Sequence, residues 1–283
     1  MTVANGIKPE IGGSAISVLR RFAANVIGSF AVLLRPARIL SRVPWLLPRQ
    51  QLLIASGVVA ALFLFSMVFV DAAAITAARS LPEWIKSPFS WATDFGKSGW
   101  FLWPFGILYL LLAALPRLTP MSQRVLVAVM VRVGFVFTAV AVPGLFTTVA
   151  KHIIGRARPF VGGGADPYLF VPFNWSAAYA SVPSGHATTA LSVLVALGSL
   201  WPRSRPILVI YALVILASRV VVTAHHPSDV LIGAVVGFAG ALLVRHWFAA
   251  RGLGFSIAPN GAIVGYPVPS LKRIKSVARE LLG

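Results

Sequence analysis

The sequence contains no cysteine and very little acid. Without cysteine, disulfide and thiolate chemistry are excluded, and any zinc site loses its commonest soft ligand. Only seven residues are Asp or Glu, against 25 Lys or Arg. Charged residues make up 11% of the chain and hydrophobic ones 58%. Soluble globular domains carry about 25% charged residues, so the balance points to a lipid bilayer. A cleavable signal peptide is not expected, because the apolar stretch 22–34 is interrupted by Asn25 and Gly28 and no small-residue cleavage pattern follows. There is no internal repeat.

What the sequence has in quantity is long apolar runs. Six are candidates to cross a hydrocarbon core: 52–70, 100–115, 125–150, 187–201, 206–222 and 230–248. The fourth is short and reaches spanning length only if its helix begins near Ser184. Residues 14–34 place Leu19, Phe22, Val26, Ile27, Phe30 and Leu33 at helical spacing beside Arg20 and Arg21, which predicts an amphipathic helix on the inner membrane surface. The expected fold is therefore all-α: a polytopic six-helix membrane bundle with an amphipathic N-terminal interfacial helix. Residues 1–49 form a basic N-terminal segment, 50–250 the membrane domain, and 251–283 a basic tail. Within these, 35–49 reads as a proline-bearing linker, 71–99 as an outer interfacial segment anchored by Trp84, Trp91 and Trp100, 160–182 as a Gly- and Pro-rich loop, 252–269 as irregular, and 270–282 as a short basic helix.

A net charge of +18 in a soluble protein would point to nucleic acid. Its placement argues otherwise. With both termini in the cytoplasm, seventeen of the 25 basic residues fall inside, Lys8, Arg38, Arg42 and Arg117 among them, and five of the seven acidic residues (Asp71, Glu83, Asp94, Asp166 and Asp229) fall outside. That is a positive-inside bias. Arg132, within the third run, is expected to face the bundle interior and bond a helix carbonyl or polar group. Nucleic acid is not an expected partner.

Three polar islands interrupt the apolar background, all on the outer side. The first is Lys151-His152-Ile153-Ile154-Gly155-Arg156-Ala157-Arg158-Pro159. Lys151 and Arg158 are seven apart, which on a helix puts them on one face, and two such cations suit a phosphate. Snorkelling residues at a helix end are the competing reading. The second is Pro183-Ser184-Gly185-His186, opening the fourth run. A helix start aims free N–H groups outward, Gly185 permits close approach, and Ser184 is either an N-cap or a ligand contact. The third is Ser218-Arg219 followed by His225-His226-Pro227-Ser228-Asp229. Asp229 is placed to accept from one imidazole nitrogen of His225 and leave the other free to attack; a structural His–Asp pair competes. His152 and His226 are read as packing or supporting groups, and Arg156 as a partner of headgroups or of Asp166.

Together the islands spell K-x6-R-P, P-S-G-H and S-R-x5-H-x3-D, in order and without departure. In this the chain resembles the type 2 phosphatidic acid phosphatase (PAP2) family, over about residues 50–250. The resemblance implies His225 as nucleophile through a phosphohistidine and Asp229 as its orienting acid. It implies His186 as the acid that protonates the leaving oxygen and then activates water. Lys151, Arg158, Ser184, Gly185 and Arg219 would hold the phosphoryl oxygens. It also implies no metal and no cofactor. The expected activity is hydrolysis of a lipid (di)phosphate at the outer face of a cell (inner) membrane, with membrane lipids as surroundings. Undecaprenyl diphosphate is the first substrate; phosphatidylglycerophosphate, phosphatidic acid and a lipid A phosphate follow. Lipid phosphotransfer is an alternative with the same motifs, and a non-catalytic lipid-binding or transport protein is the alternative from another class. Nothing in the sequence specifies an oligomeric state.

Overall fold

A computed structural model describes residues 15–37, 48–116 and 118–282. Lys8, Arg38, Arg42, Arg117 and most of the expected linker at 35–49 lie outside the described residues. The elements are α1 (Ala15–Leu34), α2 (Arg49–Phe65), a π-helical stretch (Ser66–Val70), α3 (Asp71–Arg79), α4 (Glu83–Thr93), a 3-10 turn (Asp94–Gly96), α5 (Gly99–Ala114), α6 (Pro120–Ile154), α7 (Gly185–Leu200), α8 (Arg205–Val221), α9 (Pro227–Ala250), a two-stranded antiparallel hairpin β1 (Phe255–Ile257) and β2 (Ile263–Gly265), and α10 (Leu271–Leu282). Prolines at the first positions of α6, α8 and α9 set their starts.

The chain is a multi-pass helical membrane protein. Among the described residues six helical segments are long and apolar enough to cross a membrane: Ile16–Leu34, Arg49–Arg79, Glu83–Ala114, Pro120–Ile154, Pro202–Val221 and Pro227–Ala250. Five of these overlap expected spans. The fourth expected span is α7, which starts at Gly185, immediately after Ser184. Its 16 residues rise about 24 Å, less than a hydrocarbon core of about 30 Å. The helix expected at the interface, α1, meets the length criterion instead. Its polar contacts tie it to α5 and α9. Asn25 donates to the carbonyl of Ala113, Trp247 donates to that of Leu33, and Arg35 donates to that of Arg251. Asn25 lies mid-helix and Leu33 and Arg35 at its C-terminal end, so the C-terminal half of α1 is held against the ends of α5 and α9.

The core is the packing of α6, α7 and α9. Small residues set its geometry. On α9, Gly233, Gly237 and Ala241 recur every four residues, and the two glycines meet Ser184 and Thr188, spaced alike on the α7 side. A Cβ on Gly233 would stand 2.4 Å from the Ser184 carbonyl oxygen, and one on Gly237 would stand 2.2 Å from that of Thr188. The backbones therefore touch, and hydroxyls bond across: Thr188 to the carbonyl of Gly233 and Ser192 to that of Gly237. This is the small-xxx-small crossing of membrane helices, where each hydrogen bond contributes about 0.6 kcal/mol. The Thr188 hydroxyl also meets that of Thr147 on α6, 3.0 Å away.

At the opposite end from α7's start, the segment expected to be irregular forms the β1–β2 hairpin. It inserts Phe255 against Phe135 and Phe248. The hairpin also supplies the partner of Arg132, which donates to the carbonyls of Ala128, Tyr266 and Pro267. The one charge within the third expected span is thus satisfied by carbonyls, some of them from chain lying well beyond α9. The expected tail helix is α10, tied down where Glu280 accepts from the N–H and hydroxyl of Thr119.

The seam predicts a selective intolerance. Gly237→Ala should lower stability in detergent by about 1–3 kcal/mol through overpacking, read as a drop in melting temperature. Gly144→Ala, where a new Cβ meets nothing within 4 Å, should not. Equal melting temperatures for the two variants would contradict the seam.

Candidate active site

The three islands converge at the end of the bundle where α6 and α8 finish and α7 and α9 begin. Island one starts on the last turn of α6, which supplies Lys151. The helix then stops at Ile154, and Gly155 turns the chain with φ +64°. A side chain there would drive a Cβ to 1.8 Å from the Val171 carbonyl oxygen, so glycine is required. The expectation that Lys151 and Arg158 share a helix face is therefore corrected. Arg158 lies on an extended segment, where Ala157 N–H bonds the carbonyl of Leu169 and Arg158 N–H bonds that of Ala178. The two cations are still brought together, by the turn rather than by helical periodicity, and they act electrostatically on each other. Lys151 Nζ comes within 3.5 Å of where a Cβ on Gly185 would stand, which joins island one to island two.

Island two forms the start of α7. Ser184 occupies the N-cap position, yet its side chain makes no capping bond. Its hydroxyl is buried and has no protein partner. Of the two readings of Ser184, the structure leaves the hydroxyl available to a ligand. The Ser184 N–H bonds the carbonyl of Asp229, 3.0 Å away, which joins island two to island three. His186 packs against Gly96, whose Cα admits no side chain because a Cβ would fall 2.8 Å from the imidazole Cδ2. The 3-10 turn after α4 thus backs the imidazole, and Ile215 on α8 crowds the same glycine.

Island three spans the α8–α9 connection. Arg219 is buried on the last turn of α8, where its guanidinium bonds the Thr93 hydroxyl. Its carbonyl accepts from the N–H groups of Ala224 and His225, closing the connection into a tight turn. His225 is 2% exposed. Burial pushes its pKa down to about 4, against the pull of Asp229, so the imidazole is neutral at pH 7. Its Nδ1 lies 3.8 Å from Asp229 Oδ2. That is ion-pair range and longer than the expected hydrogen bond, a looseness common in catalytic pairs without substrate. Nδ1 faces the carboxylate, which leaves Nε2 on the ring's other edge.

Six buried donors or acceptors around this point lack protein partners: Ser184 Oγ, Arg158 Nε, Arg219 Nε, His225 Nδ1 and both ring nitrogens of His226. Buried polar atoms without partners are rare, and a cluster of them calls for an explanation. Of these, Ser184 Oγ, Arg158 Nε and Arg219 Nε belong to residues gathered with Lys151 about the N-terminus of α7, where both arginines act electrostatically on the Lys151 ammonium. That arrangement fits a tetrahedral oxyanion.

Two expectations about neighbouring residues change. Arg156 meets neither headgroups nor Asp166, whose carboxylate instead accepts from Tyr168 N–H. Arg156 is wholly buried and donates to Asp229 Oδ1 and the Ser228 hydroxyl, both at 2.6 Å, to Asp71 Oδ2 at 2.8 Å, and to the carbonyl of Pro167. The sequence also offered one carboxylate at the site. The structure adds Asp71, which lies at the end of the π-helical stretch and is 0% exposed. Its position directly after an apolar run reads as a span ending in water; the unpaired guanidinium two residues before Arg158 was the signal that a partner was needed. His226 behaves as expected of a supporting group: its N–H donates to Asp229 Oδ2 at 2.9 Å. His152 packs on Trp175, with Nδ1 3.1 Å from the Asn174 carbonyl.

The chain is similar in sequence to known proteins. The chain is 34% identical over 198 residues to the lipid A 1-phosphatase of Rhizobium etli, covering 69% of this chain and 84% of that protein. It is likewise 34% identical over 200 residues to the lipid A 1-phosphatase of Rhizobium johnstonii, covering 70% and 81%. A shorter match, 36% over 74 residues, joins it to phosphatidylglycerophosphatase B of Escherichia coli, covering 24% of this chain and 29% of the other. No solved structure matches. The PAP2 superfamily pattern matches residues 132–253, a stretch that holds all eight residues singled out in the three islands. The chain belongs to the PAP2 superfamily.

Proposed function

We propose that the protein is a lipid phosphate phosphatase that works through a phosphohistidine on His225. The observation that carries this reading is the cluster of unpartnered buried donors, Ser184 Oγ, Arg158 Nε and Arg219 Nε, beside a neutral buried imidazole. Phosphoryl transfer needs positioning and charge stabilisation above all. Lys151, Arg158, Arg219, the Ser184 hydroxyl and the Gly185 N–H neutralise the equatorial oxygens. His225 Nε2 attacks phosphorus and the bond to the lipid oxygen breaks. His186, protonated in the negative field of the bound phosphate, gives its proton to the leaving oxygen. Asp229 accepts from Nδ1 and balances the positive charge that His225 acquires. In the second step His186 takes a proton from water, the hydroxide displaces His225 from phosphorus, and inorganic phosphate leaves.

The site lies at helix ends, level with the turns that connect them, so a phosphate at the headgroup plane reaches it while the acyl chains stay in the bilayer. The positive-inside bias favours a site on the periplasmic or exterior face. For the substrate, the two relatives matched over most of their length bear the name lipid A 1-phosphatase. This favours a lipid A-type phosphate over undecaprenyl diphosphate, phosphatidylglycerophosphate and phosphatidic acid.

Two outcomes are expected. Purified protein in detergent with excess chelator should release phosphate from at least one of these four lipids, fastest from lipid A, and His225→Ala should abolish release while remaining folded. Near-normal turnover by the variant would remove His225 as nucleophile. The second concerns pH. Burial lowers the pKa of His225 from the ordinary imidazole 6.5 to about 4, so the neutral nucleophile persists as pH falls and is lost only on passing about 4. In the unfolded chain the imidazole protonates first, so His225 also subtracts from stability across that window. Corrected for ionisation of the lipid phosphate, the acid limb of kcat/KM that reports His225 should fall well below 6.5; a limb at the ordinary imidazole value would contradict a buried neutral His225.

A further inference from the structure

The chemistry proposed for His225 depends on Asp229, and Asp229 has no contact with water. Its carboxylate is fixed at both oxygens. Oδ1 accepts from Arg156 at 2.6 Å, while Oδ2 accepts from the Ser181 hydroxyl at 2.6 Å and the His226 N–H at 2.9 Å. With both oxygens held, the carboxylate plane cannot turn, and the Oδ2 edge stays toward His225. Ser181 and the His226 backbone bring no charge. Arg156 is therefore the group that keeps a full negative charge tolerable in this position before the imidazole becomes cationic.

Arg156 is fixed in turn from behind. Its second terminal nitrogen bonds Asp71 Oδ2, and Asp71 also accepts from the N–H of Ser228 at 3.0 Å and from the Ser66 hydroxyl at 3.1 Å. Asp71, Arg156, Ser228 and Asp229 all stand at 0% exposure. The result is a row, Asp71–Arg156–Asp229–His225, of alternating charges that ends on the imidazole, which becomes cationic only on taking the phosphoryl group. The row begins on a helix that carries none of the three motifs, just past a π-helical stretch, an irregularity that tends to mark functional positions.

Resting on the assignment of His225 as nucleophile, we propose that Asp71 and Arg156 are positioning residues of the reaction. Asp71 locks the guanidinium, and the guanidinium sets the orientation and charge of Asp229. A pure staple between α3 and α9 would need only the Asp71–Ser228 bonds. The additional fork through Arg156 ends on the carboxylate beside the nucleophile.

The test uses the full chain in detergent, with kcat, KM and melting temperature measured on the same preparations at a temperature well below melting. Asp71→Asn keeps the shape and an acceptor for Ser228 while losing the charge against Arg156. It should lower kcat by roughly 10- to 100-fold, the range typical of removing the group behind an orienting ligand, with KM little changed. Combined with Asp229→Asn, it should slow the reaction no further than Asp229→Asn alone, because both act through one carboxylate. Should Asp71→Asn not fold, Arg156→Lys carries the same comparison, since it keeps the charge but loses the two-sided fork. A folded variant with a lower melting temperature and normal kcat, or losses that multiply independently with Asp229→Asn, would overturn the proposal and leave a staple. A wild-type protein inactive on every lipid would instead defeat the underlying assignment, so the two failures are distinguishable.

Discussion

A carboxylate sealed from water beside the start of a membrane helix is the constraint around which the rest is organised. Asp229 is 0% exposed, and an unpaired charge in that position is untenable in a low-dielectric interior. Removing one partner of a buried ion pair typically costs about 3–5 kcal/mol. Satisfying Asp229 therefore recruits distant chain: Arg156 from the segment after α6, Ser181 from the approach to α7, and Asp71, by way of Arg156, from the end of the second long helix. The same carboxylate faces the His225 imidazole. One residue's electrostatic need thus gathers the loop, two motifs and an otherwise unrelated helix at one place.

The membrane interior supplies the second requirement. Within the bilayer, helices gain little from burying apolar surface against one another, so close approach and hydroxyl bonding have to hold them. The Gly233–Gly237–Ala241 stripe lets α9 touch the backbone of α7, and the contact continues to the Ser184 N–H bonding the Asp229 carbonyl. The seam ends where the site begins. A short α7 is consistent with this arrangement, since its first turn opens onto the site and gives up span length to do so. Below, Arg132 and the β1–β2 hairpin close the other end without introducing an unpaired charge.

Much of this was legible in the sequence because its signals are local. The apolar runs predicted the spans, the start of α7 was placed within a residue, and the three motifs named a set of residues that the fold brings to one end of the bundle. What escaped was either non-local or dependent on where a helix stops. Lys151 and Arg158 were expected on one helical face, but Gly155 leaves the helix first, and only the clash a side chain would make with Val171 explains why. Arg156 and Asp71 are separated by 85 residues and pair only once folded. Each alone reads as a surface charge at a span end. Tyr266 and Pro267, which satisfy Arg132, are farther still in sequence, and the hairpin that presents them carries too weak an alternation to announce itself. For α1 the signals diverge: Arg20 and Arg21 suggest an interfacial helix, while its apolar content suffices to cross a membrane and its hydrogen bonds hold its C-terminal half against α5 and α9.

The central claim is that a neutral imidazole at position 225 takes the phosphoryl group from a lipid. Rapid acid-free quenching of the full-length protein with a lipid labelled in its phosphate, followed by proteolysis and mass spectrometry, tests it most directly. The account predicts a transient, acid-labile label on the peptide carrying His225, absent from His225→Ala and gone once substrate is exhausted. A label on any other residue, or phosphate release at full rate with no labelled protein at any time, would contradict it.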